Sequence, residues 1–347
     1  MDAVGRNAAG RGAGRDAVPD ARRDAARDAN RGANRGANRG GARGAARGAV
    51  PAEPAARAAA DLAPHELRIL VAVDDERGFS AAAQALGLTQ SAVSHSIRGT
   101  ERKVGAVLFD RGRKGATPTA AGAAAAAHAR RVLRLLDTLV AEARGADRGT
   151  VEGPLRIAAF RSVALHLLPA ALERLAARHP GIEPQVRVVR ELGAGTAGEV
   201  AEGRADVGIA TIGGSSPVPT GLIGDVLLEE PYALVHPAGH PDPRSLPLVD
   251  WHENCGSYTR EWWRRQDWIP KATVLTEDDG AVLSMVSNGH GMAIMPALSL
   301  TGAPDTIEIT DLGTERPTRS VGYVTTPELA SSTAVRALIR ELRAVRA

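Results

Sequence analysis

The sequence predicts an α/β fold in two parts: a small helical domain carrying a basic hairpin, then a larger domain of alternating strands and helices. Three observations carry this. Residues 79–122 read without gaps as helix, sharp turn, second helix, basic glycine-punctuated loop and the start of a long helix. From Leu155 onward, strand-like and helix-like segments alternate, which is the pattern of a parallel sheet with helices on its faces. A length of 347 residues with 44% hydrophobic content allows two or three folded units with substantial cores.

Residues 1–60 are built from Ala, Arg, Gly, Asp and Asn, with Asn-Arg-Gly-Ala repeated at 30–33 and 34–37. Without large apolar side chains to offset ordering entropy, this extension is expected to be disordered, whether as an idle or untranslated tail or as a basic arm. Ala63–Asp75 reads as the first helix, with Pro64 in its first turn and Leu67, Leu70 and Val71 facing inward. Ser80 is expected to cap a short helix over Ala81–Leu86, and Gly87 permits the turn. Thr89 then opens the second helix, whose positions 93, 97 and 104 share an inward face. Gln90, Ser91, Ser94, His95 and Arg98 lie toward the other side.

Gly105 ends that helix, Leu108-Phe109 anchors the next segment, and Arg111, Arg113 and Lys114 crowd the loop that follows. Thr117 or Thr119 can cap a helix running to about Ala146, in which positions 132, 135, 136, 139 and 140 form an apolar stripe. Asp147–Gly153 reads as a polar hinge. Donor and acceptor side chains at the start of a helix suit the major-groove code, and a basic loop beside them can grip phosphates. The competing reading of the same residues is a solvated helix face.

Charge divides along the chain in the same sense. Residues 1–60 hold 12 arginines against 6 acidic residues and residues 61–150 hold 13 basic against 10 acidic, whereas residues 151–347 hold 18 basic against 24 acidic. The basic half suits a polyanion.

In the second part, Leu155–Ala159, Gln185–Val189 and Val207–Thr211 read as strands, and 163–179 and Thr196–Glu202 as helices. Ligands of such sheets lie beyond the carboxyl ends of strands, near helix N-termini. Phe160-Arg161-Ser162 occupies such a point and can hold a small anion, or Ser162 is an ordinary helix cap. Thr211 and Thr276 are weaker candidates by the same logic, and Arg161 reads equally as a solvated charge. Trp251, Trp262, Trp263 and Trp268 stand out among 3% aromatic residues and are expected to pack a small lobe, with a share in a cleft wall as the alternative.

Enzyme motifs are missing: there is no nucleophile elbow, P-loop, dinucleotide fingerprint or metalloprotease helix. His252, Glu253 and Cys255 are too close in sequence to make a metal site alone, so no metal, cofactor or catalytic residue is expected. One cysteine excludes an internal disulfide, and no apolar run suits a signal peptide or bilayer span, so a cytoplasmic protein without a membrane partner is expected.

The run Gly78-Phe79-Ser80, Ala82-Ala83, Leu86, Gln90-Ser91-Ala92-Val93-Ser94, Ile97, Glu101, Gly105, Leu108-Phe109, Arg111, Arg113, Thr119 and Ala121-Gly122 resembles the DNA-binding domain of LysR-type transcriptional regulators. Phrases at 155–157, 167–169, 203–209 and 289–296 extend the resemblance to about residues 63–343. Thr100, Val104 and Pro118 stand where that family usually has leucines, and His95 where it often has arginine. The resemblance implies a winged helix-turn-helix (61–118), a dimerising linker helix and hinge (119–150) and a two-lobed effector domain like a solute-binding protein (151–347). Lobe I would hold about 154–226 and 295–345, lobe II about 227–294.

It further implies a homodimer or homotetramer on an inverted-repeat site in double-stranded DNA, with Thr89, Gln90, Ser91, Ser94, His95, Arg98, Arg111 and Arg113 as the reading and gripping residues. A small-molecule effector, anionic by the Ser162 argument, would bind between the lobes near Phe160, Arg161, Ser162, Thr211 and Thr276 and change DNA bending or contacts, with the transcription machinery as a further partner. The alternatives are a cytoplasmic small-molecule-binding protein whose winged domain serves assembly, and more remotely an enzyme built on the solute-binding fold.

Overall fold

The computed structural model describes residues 61–345 apart from 113–114, 214–215 and 255–256. The expectations for residues 1–60, Arg113, Lys114 and Cys255 lie outside the described residues.

The first three helices are α1 (Pro64–Glu76), α2 (Phe79–Leu86) and α3 (Gln90–Val104). Leu67, Leu70, Val73, Ala82, Ala83, Val93 and Ile97 bury their side chains in one shared core, with Val71 half-buried at its margin. Lys103 on α3 reaches back to Glu66 on α1 at 2.7 Å. Two expectations need correcting. Helix α2 begins at Phe79 with Gly78 as its cap, because the Ala82 amide already donates to the Gly78 carbonyl at 3.0 Å, so Ser80 lies inside the first turn. On α3 the third inward residue is Thr100, fully buried, while Val104 is 42% exposed. Thr100 can occupy a core position because its hydroxyl donates to the Ser96 carbonyl at 3.1 Å.

Strands β1 (Phe109–Gly112) and β2 (Gly115–Pro118) pair antiparallel as the wing. Glu101 pins its base by accepting from the Leu108 amide at 3.0 Å. Helix α4 (Ala120–Arg148) is capped by Thr119, whose Oγ1 accepts from the Gly122 amide at 3.0 Å; Thr117 belongs to β2. A Cβ at Gly122 would fall 1.8 Å from the Leu108 carbonyl oxygen, so glycine is what lets the helix start this close to the wing.

The larger domain runs β3 (Glu152–Ala159), α5 (Arg161–His166), α6 (Leu168–Arg178), β4 (Gly181–Val188), α7 (Gly195–Ala201), β5 (Val207–Ile212), β6 (Ile223–Pro237), β7 (Leu248–Trp251), α8 (Ser257–Arg264), β8 (Ala272–Thr276), α9 (Asp279–Ser287), β9 (Ala293–Pro296), β10 (Ile307–Asp311), β11 (Thr318–Thr325) and α10 (Thr333–Ala344). The helix expected over 163–179 is two helices: Pro169 supplies no amide hydrogen and its ring opposes continuous helix, so the chain breaks at Leu167.

The main sheet has strand order β10-β6-β11-β5-β3-β4, with β9 also on β6. Strands β3, β4 and β5 are parallel, as expected, but β11 enters between β5 and β6 and is antiparallel to both. Strand β6 joins the lobes: its first half pairs with β11, and its second half, from Tyr232, pairs with β9 and β10. Val235, Ala293, Met295, Leu300 and Ile307 share one core with Val249 and Val282. Lobe II therefore takes about 232–317 rather than 227–294, because packing keeps β9 and β10 with it until the chain returns through β11.

Helix α4 lies against lobe I along one face. Arg134 Nε is 3.5 Å from Asp206, Arg156 is 3.6 Å from Asp137, and Glu142 accepts from the Thr333 amide at 2.9 Å. Val132, Leu135, Leu139 and Val140 are exposed, between 39% and 63%, whereas Leu136 is half-buried. Among the described residues no helix is long and apolar enough to cross a membrane.

Candidate functional site

Two surfaces of this scaffold bring the sequence-predicted site residues together. The first is the N-terminal face of α3. Val93 and Ile97 point fully into the core, which turns Gln90, Ser91, His95 and Arg98 outward; all four are exposed, and Ser94 is half-buried among them. These five line one open concavity with Ala92. Thr89 is exposed but already at work, its hydroxyl accepting from the Ala92 amide at 3.2 Å as the cap.

Beside α3, Arg111 projects from β1. Its guanidinium carbon stands 4.8 Å over the Phe79 ring and its Nη2 lies 3.8 Å from Glu101. Its side chain is 38% exposed, so it is aimed by these two contacts and still reaches solvent.

The second surface is a cleft of about 350 Å³ between the lobes, at the small end of the range for small-molecule sites. Phe160, Arg161, Ser162 and Thr211 line it, as expected from the strand ends. Thr276 does not line it; its hydroxyl donates to the carbonyls of Asp250 at 3.4 Å and Asp278 at 3.0 Å. Ser162 is 3% exposed and sits one residue inside α5, whose cap is Phe160. Since α5 has only six residues, the dipole argument for an anion there loses most of its force.

What stands against Ser162 instead is a side chain from β11. Arg319 Nη2 donates to Ser162 Oγ at 3.3 Å, its Nε pairs with buried Glu230 at 2.6 Å, and its guanidinium carbon lies 4.8 Å over the Phe160 ring. Because Ser162 Oγ accepts there, its own hydroxyl hydrogen remains for a ligand. Arg161 is not a free surface charge: its Nη1 pairs at 2.6 Å with Asp279 of lobe II, whose other oxygen accepts from Ser299 at 2.6 Å. Arg190, also of lobe I, reaches Glu253 at 3.2 Å and Glu277 at 2.9 Å. Both arginines thus tie lobe I to carboxylates of lobe II across the cleft.

Glu191 completes the wall. Its carboxylate accepts from the Thr196 amide at 3.0 Å, the Thr196 hydroxyl at 2.9 Å and the Thr211 amide at 3.0 Å. Burial raises its pKa above the usual carboxylate range, against the pull of those donors. Trp251 lines the cleft as well as filling the lobe II core, while Trp262, Trp263 and Trp268 pack around a neighbouring cluster. Glu191, Asp279 and Arg319 were not singled out in the sequence. Glu191 follows the end of β4 and was open to the strand-end rule that found Ser162; Arg319 carries no local signal, since it meets Ser162 only through the sheet.

Comparison with known proteins matches both parts of the chain to one family. Residues 64–123 match the bacterial regulatory helix-turn-helix protein, lysR family, and residues 148–347 match the LysR substrate binding domain. The chain is 34% identical over 248 residues to the probable HTH-type transcriptional regulator LrrA of Synechococcus elongatus, covering 69% of this chain and 82% of that protein. It is 33% identical over 251 residues to the HTH-type transcriptional regulator AbaB of Streptomyces antibioticus, covering 66% and 80%. Among solved structures, a full-length OxyR variant from Pseudomonas aeruginosa shares the fold with a TM-score of 0.62 at 20% identity, covering 81% of this chain and 95% of that one. Full-length CbnR complexed with its target DNA gives a TM-score of 0.58 at 20% identity, covering 82% and 100%.

Proposed function

The chain belongs to the LysR family of transcriptional regulators, and on that premise we propose that it reads an inverted-repeat promoter site as a homodimer or larger homo-oligomer, switched by a ligand seated against Ser162. DNA binding and an effector-binding domain come with the family; the residues below are our assignment. Gln90, Ser91, Ser94, His95 and Arg98 read base edges, while Arg111, with Arg113, holds phosphates. The observation that carries this reading is the division of α3: Val93 and Ile97 wholly buried, and five polar side chains turned together into one open concavity.

The exposed stripe of Val132, Leu135, Leu139 and Val140 supports oligomerisation, because a second α4 would remove that apolar surface from water. In the cleft, Ser162 and Arg319 hold an anionic group of the effector, with Phe160, Arg161 and Thr211 around it. Occupancy then favours one arrangement of the lobes, and the contacts of Asp206 and Glu142 pass that bias to α4.

The test is binding of the full chain to DNA flanking its own gene, with transcription from that promoter measured alongside. Ser162→Ala is expected to retain operator binding and lose effector-dependent transcription. Absence of any preference for the flanking DNA over random sequence refutes the DNA reading, and an undiminished effector response in Ser162→Ala refutes the placement of the ligand.

A further inference from the structure

The effector cleft has a charge imbalance that narrows the chemistry of its ligand. Five charged side chains line it: Arg161, Arg319, Glu191, Glu253 and Asp279. Four of them are matched within the protein. Arg161 pairs with Asp279 at 2.6 Å, Arg319 with Glu230 at 2.6 Å, and Glu253 with Arg190 at 3.2 Å.

Glu191 alone is left over. Among the described residues no arginine, lysine or histidine stands within ion-pair distance of it; its three close donors are two amides and a hydroxyl, all neutral. Those donors occupy both oxygens, yet Oε1 receives only the Thr211 amide and keeps a lone pair. A carboxylate sheltered in this way is under-compensated, and its cheapest remedy is a cation brought by whatever fills the cleft.

We propose that the effector is an amino-carboxylate: its carboxylate is held by Ser162 and Arg319, and a protonated amine faces Glu191. The inference rests on the assignment of the cleft as the effector site. It excludes plain carboxylates of the same length as strong ligands, because they supply the anion for Ser162 and leave Glu191 facing apolar carbon. It also excludes dicarboxylates, which would set a second negative charge against Glu191. Burial raises the pKa of Glu191 although the three donors and the more distant charge of Arg319 pull it down, and binding of the amine is expected to lower it.

The test uses the full-length protein and four probes: 4-aminobutyrate and 5-aminovalerate, against butyrate and valerate. Dissociation constants are measured by calorimetry. A charge-assisted contact at Glu191 makes each amino acid bind about tenfold or more tightly than its amine-free partner. Glu191→Gln reduces that ratio to about one, with operator binding as the check on folding. Since Gln at 191 loses an acceptor facing three donors, a second readout uses the wild type: above about pH 6, where the probe carboxylates stay ionised, amine binding weakens as pH falls and Glu191 gains its proton, while any binding of valerate does not.

Equal affinity for the amino acids and the plain carboxylates overturns the proposal and leaves the cleft standing as the effector site. Failure of all four probes to bind overturns it too, and the cleft is then judged by the Ser162→Ala promoter experiment alone. Tighter binding of the amino acids that is unchanged by Ser162→Ala and by Glu191→Gln would overturn both the proposal and the site.

Discussion

The junction between α4 and lobe I makes a pH-dependent contribution to stability whose size follows from one carboxyl group. Asp206 is 6% exposed, accepts from the Arg156 amide at 2.7 Å and lies 3.5 Å from Arg134 Nε. Burial pushes its pKa from 3.8 up to about 6, against the Arg156 amide and charge, with nearby Asp137 adding to the rise. Between those two values the unfolded chain has given up the proton and the folded chain keeps it. The folded state therefore binds more protons, and stability falls as pH rises through the window. A shift of about two units corresponds to about 3 kcal/mol in full, of which about 2 kcal/mol falls between pH 4 and pH 7. In Asp206→Asn this titration is gone.

The assay is urea denaturation followed by tryptophan fluorescence, since all four tryptophans lie in the effector domain. The stability difference, wild type minus Asp206→Asn, is expected to drop by about 2 kcal/mol from pH 4 to pH 7. A flat difference refutes the reasoning. A difference that grows with pH refutes it more sharply, because it would mean that Arg134 and Arg156 outweigh burial and hold the Asp206 carboxyl below its ordinary value.

Further outcomes concern DNA contact and assembly. His95→Ala is expected to relax sequence preference at one base position and cost about 1–3 kcal/mol on the preferred site only; footprinting and competition binding across operator variants check this, and an equal loss on random DNA would reassign His95 to phosphate. Arg111→Ala is expected to weaken all DNA binding and to reduce the slope of log K against log salt by about one unit, read from titrations at several salt concentrations. Leu135→Asp combined with Leu139→Asp is expected to yield folded monomer in sedimentation and to abolish inverted-repeat binding, whereas a wild-type monomer that binds the full site would refute the role of the stripe.

Much of the reading head was legible in order along the chain. Its contacts are local, so periodicity placed Val93 and Ile97 inside, Thr89 at the cap and Gly105 at the helix end, all within a few turns of one another. The errors there were also local in kind. Ser80 has the chemistry of a cap, but the Gly78 carbonyl already accepts the first helical bond. Val104 has the apolarity of a core residue, but α3 passes the edge of its core before reaching it, and Thr100 fills the place with its hydroxyl satisfied inside the helix.

The cleft was legible only in part. Strand-end reasoning pointed to Phe160, Arg161 and Ser162, which line the cleft just past β3, and to Thr211, which lines it from within β5; Thr276 does not line it, its hydroxyl being spent on backbone carbonyls. The lobe boundary moved from 295 to about 317 because allegiance to a lobe depends on which core a strand packs into, and Leu300 and Ile307 give no sign of that in their own residue types.

By itself, then, the sequence determined what is written in neighbouring residues: the helix-turn-helix, the wing, the long helix with its apolar stripe, and the alternation that makes a parallel sheet. The tertiary structure decided what depends on meeting across the fold. Arg319 reaches Ser162 over 157 positions, Arg161 reaches Asp279 over 118, and among the described residues Glu191 has no ion pair because Arg161 and Arg319, which line the same cleft, pair with Asp279 and Glu230. Electrostatic balance is a property of distances in space, and those distances exist only once β11 has inserted between β5 and β6 and the two lobes have closed on one cleft.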